Sequence, residues 1–479
     1  MGAPTSISAI LPKPGSPCTK LGVTKISNNM KYRCVQSGKK LVWDKGKLVI
    51  SPTTSPSPSS KSTASPTPSP RPSQSSLPTP TATSTASSTP TPKLDLISLS
   101  DLRRFAQDAL ASGIRQPTLD PRYAVKIELN AKVSFNRLLG ASTPDHFSIF
   151  GPDPLKLMGT NSTAGWGMYD PQSQAGVFKS ISALPPWGIG FKLTTSDSAG
   201  RFLVTTSNYF IPGAGEPYNT RSWRLAYKGD GGKWLYQSIE GVVHPTDGKT
   251  YTDLVSMGAP GTFEIRLEFE AGTHFWGVSV PDSSSVITRL NETPQPKIVI
   301  VGDSFTHPTL GELGPYMDWD GYPMVLNWLT GWNIIPEGVN GQGLLHSSAG
   351  EIFSDRIVRD VVPLHPQVVI IVASTNDYCP SCTFTAEQIG AALGENIKKL
   401  RAADPGILII ASSPFLGNPS WSESLKKISA INGVPFLDFL NPPLIDLSIP
   451  NNPDVNGHPT RRGGVTIAEG FLKALALLG

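Results

Sequence analysis

The sequence has 479 residues, of which 38% are hydrophobic and 16% charged, with 46 Pro, 45 Gly and 4 Cys. This length predicts several domains, and four cysteines are too few for a disulfide-built scaffold of this size. No run of 18 apolar residues is present, so no transmembrane segment is expected. The formal net charge of +4 conceals an asymmetry, because residues 1–50 carry +8 whereas the part after residue 92 carries −6. Since that large acidic part has no basic stripe, we expect no nucleic-acid partner.

Residues 1–50 are interpreted as a small basic module with two cysteines. Its apolar residues are few, namely Tyr32, Val35, Leu41 and Trp43. Because so small a core needs a covalent link, a disulfide between Cys18 and Cys34 is predicted. The positive charge favours binding to an anionic cell-wall polymer or a membrane surface. A basic face that is simply solvated is the alternative.

Residues 51–93 are predicted to be a disordered linker. Of residues 51–92, 14 are Ser, 10 Thr and 11 Pro, a composition that cannot bury enough apolar surface to fold. Such stalks are typical of secreted or surface proteins and are either O-glycosylated or plain spacers. Met1–Pro17 lacks the features of a signal peptide, so we expect the sequence to begin after its native signal, or without it. The predicted location is extracellular or at the cell surface.

Residues 94–117 are predicted to be a helical connector and residues 118–293 a β-sandwich. Apolar residues follow helical spacing up to Gly113. From about residue 118 the apolar period changes to two, with turn signals between short segments, which predicts a jelly-roll-like sandwich. Four tryptophans in this region are candidates either for a sugar platform or for the core: Trp166, Trp187, Trp234 and Trp276.

Residues 294–479 are predicted to be an α/β domain. Three short continuous apolar runs, Ile298–Val301, Val368–Val372 and Ile407–Ile410, are typical of strands buried on both faces. Helical patterns separate and follow them, near 321–329, 349–362, 385–401, 420–431 and 461–478. This alternation predicts a parallel sheet with right-handed crossovers.

The residues suited to catalysis follow strands or precede the last helix of this domain. Ser304 lies just after the first strand, where open parallel sheets bind ligands. The glycine-rich turn around Gly341 and Gly343 can direct a backbone N–H into the same cleft, and the Asn376 side chain can donate to an oxyanion. His458 lies on a loop before the final helix, and Asp454 can accept a hydrogen bond from its far ring nitrogen.

In this order and spacing, the four sites resemble the SGNH hydrolase (GDSL-like lipase/esterase) family over residues 296–479. The resemblance implies a flavodoxin-like three-layer α/β/α domain in which Ser304 is the nucleophile and His458 its base. It also implies an oxyanion hole made by Ser304, Gly341 and Asn376, with Gly343 as the alternative glycine. The family places the acid three residues before the histidine, whereas Asp454 lies four residues before His458. A backbone carbonyl is therefore an alternative to Asp454.

A β-sandwich joined ahead of such a domain resembles carbohydrate-esterase family two, whose members deacetylate polysaccharides. The sequence is thus interpreted as an extracellular serine esterase that hydrolyses an acyl ester, specifically an acetyl ester, on a glycan through an acyl-enzyme on Ser304. Its substrate is expected to be an acylated glycan or a small ester, and no cofactor or metal is predicted. The alternatives are a lipase or thioesterase of the same family, and a non-catalytic glycan-binding surface protein.

Cys379 and Cys382 form a Cys-x-x-Cys pair three residues after Asn376. Such a pair can be a redox centre, half of a metal site or a structural disulfide. A redox cysteine usually lies at a helix start, and the metal interpretation lacks a second cysteine pair beside it. A disulfide that stiffens the turn carrying Asn376 is therefore predicted.

Overall fold

The computed structural model divides into two units, Met1–Ser88 and Thr89–Gly479, each of which is considered by itself. It describes residues 16, 23–27, 30–37, 40–44, 47–48, 97–111, 118–119, 125–158, 164–173, 175–176, 186–209, 220–228, 234–238, 241–281, 284–290, 295–307, 321–348, 350–378, 382–444, 458–459 and 461–478. The predicted linker, residues 51–93, lies outside these ranges.

The first unit contains a small antiparallel sheet. Its strands are β1 (Thr24–Ser27), β2 (Met30–Ser37), β3 (Lys40–Trp43) and β4 (Lys47–Leu48), and all of the others pair with β2. Cys34 lies opposite Trp43 in the register, and both side chains are buried with Leu41 packed against them. Cys34 is disulfide-bonded. Its predicted partner, Cys18, lies outside the described residues, so this pairing stays a prediction.

The N-terminal part of the second unit is rich in β-sheet. One sheet contains β6 (Lys126–Glu128), β7 (Arg137–Leu139), β9 (Leu155–Met158), β10 (Ala164–Gly167), β14 (Arg201–Tyr209), β18 (Asp247–Ser256) and β20 (Thr273–Val280). The other contains β5 (Thr118–Leu119), β8 (Ser148–Phe150), β13 (Trp187–Thr195), β15 (Thr220–Lys228), β16 (Trp234–Tyr236), β17 (Val242–Pro245), β19 (Gly261–Phe269) and β21 (Ser285–Arg289). A further pair consists of β11 (Tyr169–Asp170) and β12 (Ala175–Gly176).

The two large sheets share one core. The Phe191 ring of β13 lies 5.8 Å from the Phe202 ring of β14, and the Phe269 ring of β19 lies 5.3 Å from the Phe275 ring of β20. All four phenylalanines are fully buried. The alternating apolar residues of both sheets therefore face each other, which is the packing of a sandwich.

The four tryptophans that are candidates for a sugar platform differ in burial. Trp166 and Trp187 are 5% and 1% exposed, so they belong to the core. Trp234 and Trp276 are half-buried. The Trp234 ring lies 4.3 Å from the Arg266 guanidinium, and Trp276 Nε1 donates to Ser207 Oγ.

The C-terminal part of this unit is built on a five-stranded parallel sheet. Its strands are β22 (Lys297–Gly302), β23 (Asn333–Gly338), β24 (Val368–Val372), β25 (Leu408–Ser412) and β26 (Phe436–Leu437). Their order is β23-β22-β24-β25-β26, the order found in flavodoxin-like folds. β24 is buried at every residue, as its continuous apolar run predicts.

Helices cover both faces of this sheet. They are α1 (Leu99–Ala111), α2 (Tyr322–Thr330), α3 (Phe353–Arg356), α4 (Ala386–Ala403), α5 (Pro419–Ile431) and α6 (Arg461–Leu477). Apolar residues of α1, α2 and α6 pack on one face of the sheet, and those of α3, α4 and α5 pack on the other. The result is the three-layer α/β/α arrangement that the resemblance implies.

Two helices differ from their sequence-based expectations. The helix predicted near 349–362 is α3 followed by a π-helix at Ile357–Val361 and a 3-10 turn at Val362–Leu364, where Pro363 lacks the N–H that an α-helix needs. The helix of the predicted connector is α1, and it packs against α6, with Gln107 Nε2 donating to the Ala476 carbonyl. α1 is therefore part of the outer layer of the C-terminal domain.

The sandwich packs directly on the α/β domain. The Gly151 N–H donates to Asn333 Oδ1 at 2.8 Å. The buried Arg224 guanidinium of the sandwich lies 4.3 Å from the Trp328 ring of α2, a cation–π distance. Within the part of the chain that the structure describes, no helix is long and apolar enough to cross a membrane.

Candidate active site

The predicted site residues lie at the carboxyl edge of the parallel sheet. Ser304 follows β22 by two residues, and β22 pairs with β23 on one side and β24 on the other. Because β23 and β24 lie on opposite sides of β22, the strand order reverses at β22. Such a topological switch point forms a crevice at the carboxyl ends of the strands. The residues after these three strands therefore meet around Ser304.

Ser304 and His458 lie within hydrogen-bonding distance of each other. The His458 Nε2 and Ser304 Oγ atoms are 2.8 Å apart, although 154 residues separate them in the sequence. Ser304 is 6% exposed, and the Phe305 ring lies 5.5 Å from the imidazole. Asp454, the predicted orienting acid, lies outside the described residues. The structure thus brings together a hydroxyl and a base in the geometry that activates a serine.

A buried carboxylate, Asp303, holds the turn that carries Ser304. Its Oδ1 accepts from the Phe305 N–H at 2.9 Å, and its Oδ2 accepts from the Thr375 N–H at 2.9 Å. The Ser374 hydroxyl lies 2.8 Å from the same Oδ2. Asp303 is 3% exposed. It therefore ties the turn after β22 to the segment after β24.

Asn376 lies on the 3-10 turn Thr375–Tyr378 that follows β24. Its Nδ2 donates to the Gln342 carbonyl at 3.0 Å, and its backbone N–H donates to Ser374 Oγ at 2.9 Å. An Asn amide nitrogen carries two hydrogens, so one of them is held by Gln342 and the orientation of the amide is set.

The two glycines of the turn after β23 have different surroundings. Gly341 adopts φ +71°, a conformation that glycine tolerates best, and its carbonyl accepts from the Ser348 N–H. Gly343 lies against a carboxylate, because a Cβ at that position would be 2.5 Å from Asp377 Oδ1. Gly343 therefore has a packing reason to be glycine that is separate from any role in an oxyanion hole.

Asp377 connects the turn after β24 to the loop after β23. Its carboxylate accepts from the N–H groups of Leu344, Leu345 and His346 at 2.8–2.9 Å. Burial raises the pKa of Asp377 above its usual value, and these three N–H donors oppose that rise. The carboxylate fixes the loop that contains Gly341.

Cys382 lies close to the turn that carries Asn376. Its Sγ is 4.0 Å from the Asn376 carbonyl oxygen, and it is disulfide-bonded. Its predicted partner, Cys379, lies outside the described residues. The described residues contain no group of three His, Cys, Asp or Glu side chains that could hold a metal ion.

Sequence reasoning assigned no role to Asp303 and Asp377. Both are sequence neighbours of predicted site residues, Ser304 and Asn376, and this adjacency is the available signal. Apart from the Phe305 N–H, which lies two residues from Asp303, the partners described above lie 31 to 72 residues away in the sequence, and the sequence alone does not identify such distant partners.

Part of the chain matches the model of a known protein family. Residues 300–464 match the model of the GDSL-like Lipase/Acylhydrolase family, and this range contains Ser304, Gly341, Asn376 and His458. No curated protein matches the chain.

Several solved structures are similar to this chain. One is a family two carbohydrate esterase from Clostridium thermocellum in complex with cellohexaose, with 16% identity, a TM-score of 0.47, and coverage of 68% of this chain and 97% of that one. Another is the acetyl xylan esterase Est2A from Butyrivibrio proteoclasticus, with 14% identity, a TM-score of 0.46, and coverage of 73% and 98%. The salicylyl-acyltransferase SsfX3 from a tetracycline biosynthetic pathway has 14% identity, a TM-score of 0.48, and coverage of 71% and 96%.

Proposed function

We propose that this chain is a serine hydrolase acting on esters and that Ser304 forms an acyl-enzyme, because residues 300–464 match the model of the GDSL-like Lipase/Acylhydrolase family. The observation that carries the proposal is the 2.8 Å approach of His458 Nε2 to Ser304 Oγ. A serine hydroxyl is a weak nucleophile at neutral pH and needs such an adjacent base.

In the proposed reaction, His458 takes the Ser304 proton while Ser304 Oγ attacks the ester carbonyl carbon. The imidazolium then gives this proton to the departing alcohol, which leaves the acyl group on Ser304. Water, deprotonated by His458, attacks the acyl-enzyme and releases the carboxylic acid and the free serine. We assign to Asp454 the role of holding the far ring nitrogen of His458.

The oxyanion of each tetrahedral intermediate is proposed to bind three donors. These are the backbone N–H groups of Ser304 and Gly341 and the second amide hydrogen of Asn376. The carboxylates of Asp303 and Asp377 support this assignment, because they fix the loops that carry the three donors before substrate arrives. Such preorganised donors stabilise the charge without reorganisation during the reaction.

Asn376→Ala is expected to lower kcat for p-nitrophenyl acetate by about 100- to 1,000-fold, the usual cost of one oxyanion donor. Residual activity should remain measurable, because the two backbone donors are unchanged. Asn432→Ala is a matched control, since the Asn432 amide also donates to a backbone carbonyl but lies at the end of α5. A kcat for Asn376→Ala within threefold of the parent would remove Asn376 from the oxyanion hole.

We propose that the substrate is a short acyl ester, specifically an acetyl ester, on a glycan. Tyr378, two residues after Asn376, is 61% exposed, and its ring packs edge-on against Trp421 at 5.6 Å. A fixed, exposed aromatic ring beside the site offers an apolar surface and a hydroxyl to a sugar ring.

A series of p-nitrophenyl esters of increasing acyl length, together with an acetylated polysaccharide, tests this substrate class. We expect kcat/KM to be highest for acetate and acetate to be released from the polysaccharide. A preference for long acyl chains would favour a lipase or thioesterase. Tight glycan binding without hydrolysis of any ester would favour a non-catalytic binding protein.

We further propose that the chain acts outside the cell or at its surface, and that its basic module binds an anionic cell-wall polymer. The disulfide-bonded state of Cys34 and Cys382 supports an oxidising location. Arg33 and Lys40 are exposed on the small sheet, where their positive charges can contact an anionic polymer. Peptide mapping tests the pairings Cys18–Cys34 and Cys379–Cys382. Co-sedimentation of the protein with an insoluble anionic polysaccharide tests the proposed polymer binding, and we expect added salt to weaken it.

A further inference from the structure

A buried arginine lies beneath the two strand ends that lead to the site. Arg356 is the last residue of α3 and is fully buried. Its Nη2 donates to the Gly302 carbonyl at 2.7 Å, and its Nη1 donates to the Glu337 carbonyl at 3.0 Å. The guanidinium also forms an ion pair with the Glu337 carboxylate, which is itself fully buried.

The two carbonyls belong to neighbouring strands at the point where both leave the sheet. Gly302 ends β22, two residues before Ser304, and lies opposite Gly338 of β23 in the parallel register. Glu337 precedes Gly338 and lies four residues before Gly341. One planar guanidinium therefore binds the strand that leads to the nucleophile and the strand that leads to the proposed oxyanion glycine.

The charge of Arg356 is maintained in this buried position. Burial lowers the pKa of Arg356 to about 9, and the nearby carboxylates of Asp360 and Asp303 oppose that fall. The side chain is thus cationic at neutral pH and keeps its forked set of donors. Since well-packed apolar residues can replace a buried ion pair without loss of stability, stability alone does not account for a buried pair at this place.

We infer that Arg356 is a positioning residue for acyl transfer, an inference that rests on the proposed function. Its two hydrogen bonds fix the separation of the β22 and β23 ends, and through them the separation of Ser304 from the Gly341 N–H. Lysine keeps the charge but cannot donate to two carbonyls with the fixed geometry of a guanidinium. A displacement of about 1 Å at a reacting centre can cost about 100-fold in rate.

The test compares Arg356→Lys with Arg401→Lys, a control in which the arginine is exposed and donates to one backbone carbonyl, that of Gly433. A separate aliquot of each protein is titrated to completion with a fluorophosphonate to count the reactive Ser304 sites, and the kcat of the untreated protein is expressed per such site. For Arg356→Lys we expect kcat per site with p-nitrophenyl acetate to fall about 10- to 100-fold, with KM within about threefold. For Arg401→Lys we expect both constants to stay within about twofold.

A purely structural role predicts a different result. Fewer sites would then be labelled while kcat per site stayed at the parent value, and this outcome would overturn the inference. A raised KM with unchanged kcat would also overturn it. If Arg356→Lys does not fold, Glu337→Gln takes its place, because it keeps the arginine and removes only its ionic partner. Its kcat per site is expected to fall about threefold or more, and an unchanged value would overturn the inference.

The parent protein separates this inference from the proposed function. If the parent is neither labelled at Ser304 nor active on any ester, the proposed function fails. If the parent is labelled and active but Arg356→Lys keeps its kcat per site, only the positioning role of Arg356 fails.

Discussion

Ser304→Ala is expected to lower kcat/KM for p-nitrophenyl acetate by about 10⁴-fold or more, because the acyl-enzyme cannot form without the hydroxyl. Among the residues that the structure describes, Ser304 carries the hydroxyl that lies within hydrogen-bonding distance of His458. The remaining activity should come from the oxyanion donors acting on bound ester and water. Steady-state hydrolysis and mass spectrometry after fluorophosphonate treatment measure the loss of turnover and of labelling.

The same substitution should leave the fold unchanged. The Ser304 hydroxyl makes its described hydrogen bond to His458 alone, so its removal leaves no buried backbone group without a partner, and the melting temperature should stay within a few degrees. Ser420→Ala is the matched control, since Ser420 is an exposed serine at the start of α5. Hydrolysis by Ser304→Ala at the rate of the parent would show that another residue performs the reaction.

His458→Ala is expected to lower kcat by about 10³- to 10⁴-fold, because Ser304 loses the base that accepts its proton. KM should change little, since the imidazole acts on the proton of Ser304 rather than on the ground-state ester. Labelling of Ser304 by the fluorophosphonate should slow to a similar extent. The measurements are kcat, KM and the rate constant of labelling.

A second histidine provides the control for this substitution. His365 is exposed and adopts φ +50° after the 3-10 turn Val362–Leu364, a conformation in which asparagine is also tolerated. His365→Asn should therefore keep both the fold and the activity. If His458→Ala kept more than a tenth of the parent's kcat, the Ser304–His458 contact would not be the catalytic pair.

The local elements of the α/β domain follow from the sequence alone. The apolar run Val368–Val372 coincides with β24, and the pattern near 461–478 coincides with α6 at Arg461–Leu477. These elements are predictable because their cause is local: a strand covered on both faces needs a continuous apolar run, and a helix on a sheet needs apolar residues at helical spacing. The candidate nucleophile, Ser304, and the candidate base, His458, can also be recognised from the sequence, because each belongs to a short motif next to the end of a strand or helix.

The bonds that assemble the site depend on the tertiary structure. Asp303 reaches Thr375 across 72 residues, and Arg356 reaches Gly302 across 54. A hydrogen bond depends on the distance between two groups in space. A local sequence pattern does not predict which groups, distant in sequence, meet at one edge of the sheet. The different surroundings of Gly341 and Gly343 have the same origin, because the carboxylate that faces Gly343 comes from Asp377 on another loop. The sequence by itself determined three of the buried strands, most of the helices that separate and follow them, and the candidate residues Ser304 and His458. The tertiary structure alone decided which buried carboxylates and which arginine hold them in place, because those contacts exist only after the strand ends have converged.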